Sequence, residues 1–95
     1  MDLRLVRAFV AIAHEGSISG AARQLGYSQP AITQQLKDLE HLVGRRLFDR
    51  SSTAVTLTSA GRDRLALAEL MLVLERRLLL GLEPARKASR VGAPR

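Results

Sequence analysis

The chain has 95 residues, of which 46% are hydrophobic and only 3% aromatic, and it contains no cysteine. That length allows one small core, and a domain so short often completes its burial against a partner. The lack of cysteine excludes a disulfide framework and a cysteine-ligated zinc site and fits a reducing cytoplasm, while the net charge of +6 suggests a polyanionic partner.

The distribution of charge weakens that last inference. Residues 86–95 hold Arg86, Lys87, Arg90 and Arg95 with no acid, whereas the other 85 residues carry 11 basic and 9 acidic groups. A short basic tail binds DNA, RNA and acidic lipid alike, so local arrangement must decide. The opening "MDLRLVRAFVAIAHEG" has charges at positions 2, 4 and 7 and no signal-peptide cleavage pattern. The leucine-rich tract from Leu65 to Leu82 is interrupted by Glu69, Glu75, Arg76 and Arg77, which a lipid-spanning helix does not readily carry. No membrane partner is expected.

The seventeen leucines recur at helical spacings, which predicts a mainly helical protein. Leu3, Val6, Phe9, Val10 and Ala13 make the apolar stripe of a first helix, and Gly16 stops it. Ser17 and Ser19 are both candidate caps for a second helix of about two turns, in which Ala21, Ala22 and Leu25 offer a close-packing face before Gly26. Ser28 caps the third helix and Pro30 occupies its first turn, where no intrahelical hydrogen bond is lost. Ile32, Leu36, Leu39 and Val43 form its buried stripe, and Gly44 closes it. From Leu47 to Thr58 the pattern changes to strand, polar turn and strand, "LFDR", "SSTA" and "VTLT". Thr58 then caps a long helix from Ser59 to about Leu82, with Gly81 and Pro84 marking its end. The resulting division is a winged helix-turn-helix over residues 1–58, a linker or dimerisation helix over 59–82 and a basic, disordered tail or linker stump over 83–95.

With the apolar stripe of the third helix turned inward, a 100° step places Pro30, Gln34 and Lys37 outward and Gln29 and Thr33 on the adjacent flank. These side chains suit base edges in a duplex groove, and the free N–H groups from Ser28 to Ala31 suit a phosphate. Arg50, in the hairpin, is expected to lie beside the flanking backbone or minor groove. A polar helix face is most often merely solvated. Here three features argue otherwise: no acid among positions 28–37, a cap that stiffens this end, and a basic wing at the following hairpin.

The run "GSISGAARQLGYSQPAITQQLKDLEHLVGRRLFDR", followed by "LTSAG", resembles the N-terminal DNA-binding domain of LysR-type transcriptional regulators, from about Leu3 to about Leu82. The resemblance implies a mainly α fold, a winged helix-turn-helix of three helices and a two-stranded wing, followed by a long helix that pairs with its copy. It also implies a bacterial repressor or activator that binds double-stranded DNA at promoters. Ser28, Gln29, Pro30, Thr33 and Gln34 match the DNA-facing positions of that pattern, and Arg50 matches the wing arginine. Thr33 stands where serine is commoner, and Gln34 occupies a variable position. Family members also carry a larger domain that binds a small-molecule inducer. These 95 residues include none, so "EPARKASRVGAPR" reads as a linker stump of a fragment or the end of a stand-alone module.

A domain with so few core residues is not expected to leave Leu67, Leu70, Met71, Leu74, Leu78 and Leu82 in water, while Leu65, Leu72 and Leu79 occupy other faces of the same helix. One stripe can pack on the first helix and the rest then requires a twofold copy, so a homodimer reading an inverted repeat is expected, with a tetramer as the further assembly open to a full-length protein.

No catalysis, cofactor or metal is expected. His14-Glu15 begins like a zinc-protease motif, but position 18 is Ile18. His41 falls on the exposed back of the third helix, and the serines at 17, 19, 28, 51, 52 and 59 sit at caps or turns that account for them. Two other readings are kept: a molybdate-regulator-like winged helix domain, and a helical dimerisation or adaptor module with Leu65 to Leu82 as its working surface.

Overall fold

Asp2 caps the first helix by accepting the N–H of Arg4 at 2.9 Å, and its carboxylate also binds the Arg4 guanidinium at 2.8 Å. These bonds hold the Asp2 carboxyl below its ordinary range. In the computed structural model, which describes residues 1–50 and 54–81, the chain then runs α1 (Leu3–Glu15), α2 (Ile18–Leu25), α3 (Gln29–Val43), β1 (Phe48–Asp49), β2 (Thr56–Leu57) and α4 (Ser59–Leu80). The fold is mainly α with a two-stranded antiparallel wing, as expected. Ser17, and not Ser19, caps α2, and Ser28 and Thr58 cap α3 and α4.

The core lies where α1, α2 and α3 meet. Phe9 and Ile12 of α1, Ile32 and Leu36 of α3, and Leu47 and Phe48 after it are completely enclosed. Phe9 and Phe48 meet edge to face with ring centroids 5.6 Å apart. Such a pair adds about 1 kcal/mol beyond the area it buries, and it fastens the start of the wing to the first helix. In the predicted α3 stripe Ile32, Leu36 and Leu39 are buried and Val43 is half-buried.

Two boundaries differ from the expectation. The paired part of the hairpin is short, Phe48 opposite Leu57 and Asp49 opposite Thr56. The long helix ends at Leu80 and Gly81 caps it, because the Gly81 N–H bonds back to Arg77 while its φ of +91° departs from the helix. The turn residues Ser51–Thr53, Leu82 and the tail 83–95 lie outside the described residues.

A further finding concerns which face of α4 meets the domain. Its buried residues are Ala60, Gly61 and Ala68, with Leu65, Met71 and Leu72 half-buried against the core. A Cβ at Gly61 would stand 2.2 Å from the Leu47 carbonyl oxygen. The helix thus approaches through its small residues, which leaves Leu67, Leu70, Leu74 and Leu78 exposed. Polar contacts flank the seam: the ion pair of Arg7 Nη1 with Glu75 Oε1 at 2.9 Å, and His14 Nε2 with Glu69 Oε2 at 2.6 Å. Both are partly exposed and each contributes about 0–1 kcal/mol. The Glu69 contact supplies the partner of His14.

Candidate nucleic-acid interface

The turn between α2 and α3 is built by local chemistry. Gly26 takes a φ of +76°, which L side chains rarely adopt, and the N–H groups of Gly26 and Tyr27 both bond to the Ala22 carbonyl, at 2.9 and 3.0 Å. Ser28 then returns the chain to an extended conformation, and its Oγ accepts the Ala31 N–H at 3.2 Å. Since Ile32, Leu36 and Leu39 are sunk in the core, the opposite face of α3 is presented to solvent.

On that face Ser28, Gln29, Pro30, Gln34 and Lys37 are exposed, while Ala31 and Thr33 are half-buried on its flank. Together they offer amides, hydroxyls and one ammonium, the groups that pair with base edges and phosphates. The structure narrows one expectation. Pro30 has no N–H and Ala31's is taken by Ser28, which leaves the amides of Ser28 and Gln29 as the donors available at this helix end. It also adds a neighbour, because Gln34 Nε2 donates to Asp38 Oδ1 at 2.8 Å.

Arg50 is half-buried immediately after β1. The wing that carries it is braced by residues given no site role from sequence. Glu40 is only 8% exposed, and its Oε2 accepts the Leu47 N–H at 2.7 Å with the Arg46 guanidinium 3.8 Å away. Thr58 Oγ1 donates to the Arg46 carbonyl at 2.7 Å and accepts the Gly61 N–H at 3.0 Å, and the Thr58 N–H bonds to the Leu47 carbonyl at 3.0 Å. The base of the wing is therefore tied to the end of α3 and the start of α4. A signal for Glu40 was present: it follows Leu36 by four residues and so shares the buried side of the helix.

Of the residues expected at a dimer seam, Leu70, Leu74 and Leu78 are 51%, 57% and 82% exposed, Leu67 is likewise exposed, Met71 is half-buried and Leu82 lies outside the described residues. Among the described residues no helix is long and apolar enough to cross a membrane, and no three His, Cys, Asp or Glu side chains cluster as a metal site.

Comparison with known proteins agrees with this geometry. The family model described as "Bacterial regulatory helix-turn-helix protein, lysR family" matches residues 3–62. The HTH-type transcriptional regulator TfdS of Cupriavidus pinatubonensis is 44% identical over 90 residues, covering 95% of this chain and 30% of TfdS. BudR of Klebsiella aerogenes is 51% identical over 61 residues, covering 64% of this chain and 43% of BudR. The chain thus spans less than half the length of these relatives. Among solved structures, the CbnR_DBD–DNA complex aligns with a TM-score of 0.79 at 37% identity, covering 95% of this chain and 100% of that one. The BenM_DBD/benA site 1 DNA complex aligns with a TM-score of 0.82 at 30% identity, covering 90% and 99%. The helical fold with its two-stranded wing is thus a known architecture, and the chain belongs to the lysR family of bacterial regulatory helix-turn-helix proteins.

Proposed function

We propose that this chain binds double-stranded DNA in a sequence-specific manner, as a homodimer on an inverted repeat, and so regulates bacterial transcription in the cytoplasm. α3 enters the major groove with Gln29, Thr33 and Gln34 toward base edges, the amides of Ser28 and Gln29 meet a phosphate, and Arg50 lies on the flanking backbone or minor groove. The observation that carries this reading is the capped first half of α3, whose exposed polar groups include no acid through Lys37. The exposed leucines of α4 support the dimer, since a soluble monomer rarely leaves so many together in water. The similarity to domains crystallised with DNA supports the choice of ligand.

The test is selection of duplexes from a randomised library, followed by a salt series. A common inverted repeat is expected to emerge, bound at least about a thousandfold more tightly than a scrambled duplex, with affinity falling steeply as salt rises. A library that yields no enriched sequence would contradict the proposal.

A further inference from the structure

Gln34 is exposed on the outer face of α3, and its amide nitrogen donates to Asp38 one turn further along, at 2.8 Å. The chemistry of the pair gives it a direction. A carboxylate only accepts hydrogen bonds, so Gln34 must turn its nitrogen toward Asp38, since the flipped amide would set its carbonyl oxygen against an anionic oxygen. A side-chain amide otherwise has two orientations of similar shape. Asp38 leaves it one.

What Gln34 then retains for a ligand is its carbonyl oxygen and its second N–H, one acceptor and one donor side by side. Adenine presents the complement in the major groove, a donor at N6 and an acceptor at N7, whereas guanine presents acceptors at both O6 and N7. A held amide suits the first and places oxygen against oxygen at the second. A freely flipping amide tolerates both better. Asp38 also has a general cost, because a carboxylate on a face that approaches phosphates repels every duplex equally. An acid at this place lowers overall affinity while sharpening the choice of base.

We propose that Asp38 is a positioning residue for sequence readout: by holding the Gln34 amide in one orientation, it makes Gln34 select adenine over guanine at one base pair of each half-site. This rests on the DNA-binding reading above and adds to it the identity of a base and of the residue that enforces it.

The experiment begins with the duplex enriched by the parent protein. Q34A identifies the base pair whose preference depends on Gln34, and affinities are then measured for all four pairs at that position with the parent, D38N and D38E. The parent is expected to prefer adenine to guanine about tenfold. D38N can donate as well as accept and so permits both amide orientations; it should bind every duplex more tightly, with the preference reduced to about threefold or less. D38E restores an acceptor-only partner and should recover most of the preference. The melting temperature of D38N should match the parent, since Asp38 is exposed. A D38N protein that keeps the full preference would overturn the proposal. So would a parent whose enriched site contains no position sensitive to Q34A, although sequence-specific binding would then stand. Failure of the library to enrich any site would overturn the DNA-binding reading itself, and this inference with it.

Discussion

Glu40 near the end of α3 holds the backbone N–H of Leu47, seven residues further on, through a 2.7 Å hydrogen bond that is shielded from water. That bond sets the path of the chain as it leaves α3 and enters the wing. Replacing Glu40 with Ala strands a buried N–H and is expected to cost about 1–3 kcal/mol, whereas Gln keeps an acceptor and should cost less than about 1 kcal/mol. Urea unfolding of both variants checks this, and an Ala variant as stable as the parent would remove the brace from the account.

Gly61 has a comparable role from the other side of the seam. A Cβ there would stand 2.2 Å from the Leu47 carbonyl oxygen, a backbone atom that cannot swing aside. G61A is therefore expected to destabilise the domain by about 1–3 kcal/mol despite the higher helix propensity of alanine. A melting temperature equal to or above the parent's would show that α4 can shift without cost.

Arg50 is expected to act through charge and not through base identity. R50A should weaken binding to every duplex and reduce the slope of log affinity against log salt by about 0.9, the contribution of one phosphate contact. Competition assays at several salt concentrations would show it, and an unchanged slope would place Arg50 off the DNA.

The leucines that α4 leaves exposed allow a clean test of assembly. Leu70 and Leu74 are already half-exposed in the single chain, so L70E/L74E should leave the domain folded while placing charges in a dimer seam. Sedimentation is expected to show a dimeric parent, stable in salt that strips it from DNA, and a monomeric double mutant. A double mutant as dimeric as the parent, or a parent that is monomeric at micromolar concentration, would refute the dimer.

Much of this architecture was legible because its signals are local. Ser28, Pro30 and Gly44 delimit α3, and the spacing of Ile32, Leu36 and Leu39 shows which side it buries, from which the outward position of Gln29 and Gln34 follows. The wing could be located from the β-branched residues after Phe48, though not the length of its pairing. Two features depended on contacts between different elements. The packed face of α4 is decided by where Gly61 and Ala68 permit close approach, and a helix with leucines on several sides does not announce that. The importance of Glu40 arises from a backbone N–H beyond the glycine that ends its helix. The four-residue spacing of Gln34 and Asp38 is present in the sequence, but that the two side chains meet came only with the geometry.

The central claim is that the first turns of α3 read bases, and Gln29 tests it most directly because it is exposed at the capped end and bonds to no other side chain among the described residues. Affinities of the parent and Q29A should be compared on the enriched duplex and on a scrambled one at the same salt concentration. A loss of about 1–3 kcal/mol is expected on the enriched duplex and almost none on the scrambled one. An equal loss on both, or no loss on either, would contradict it.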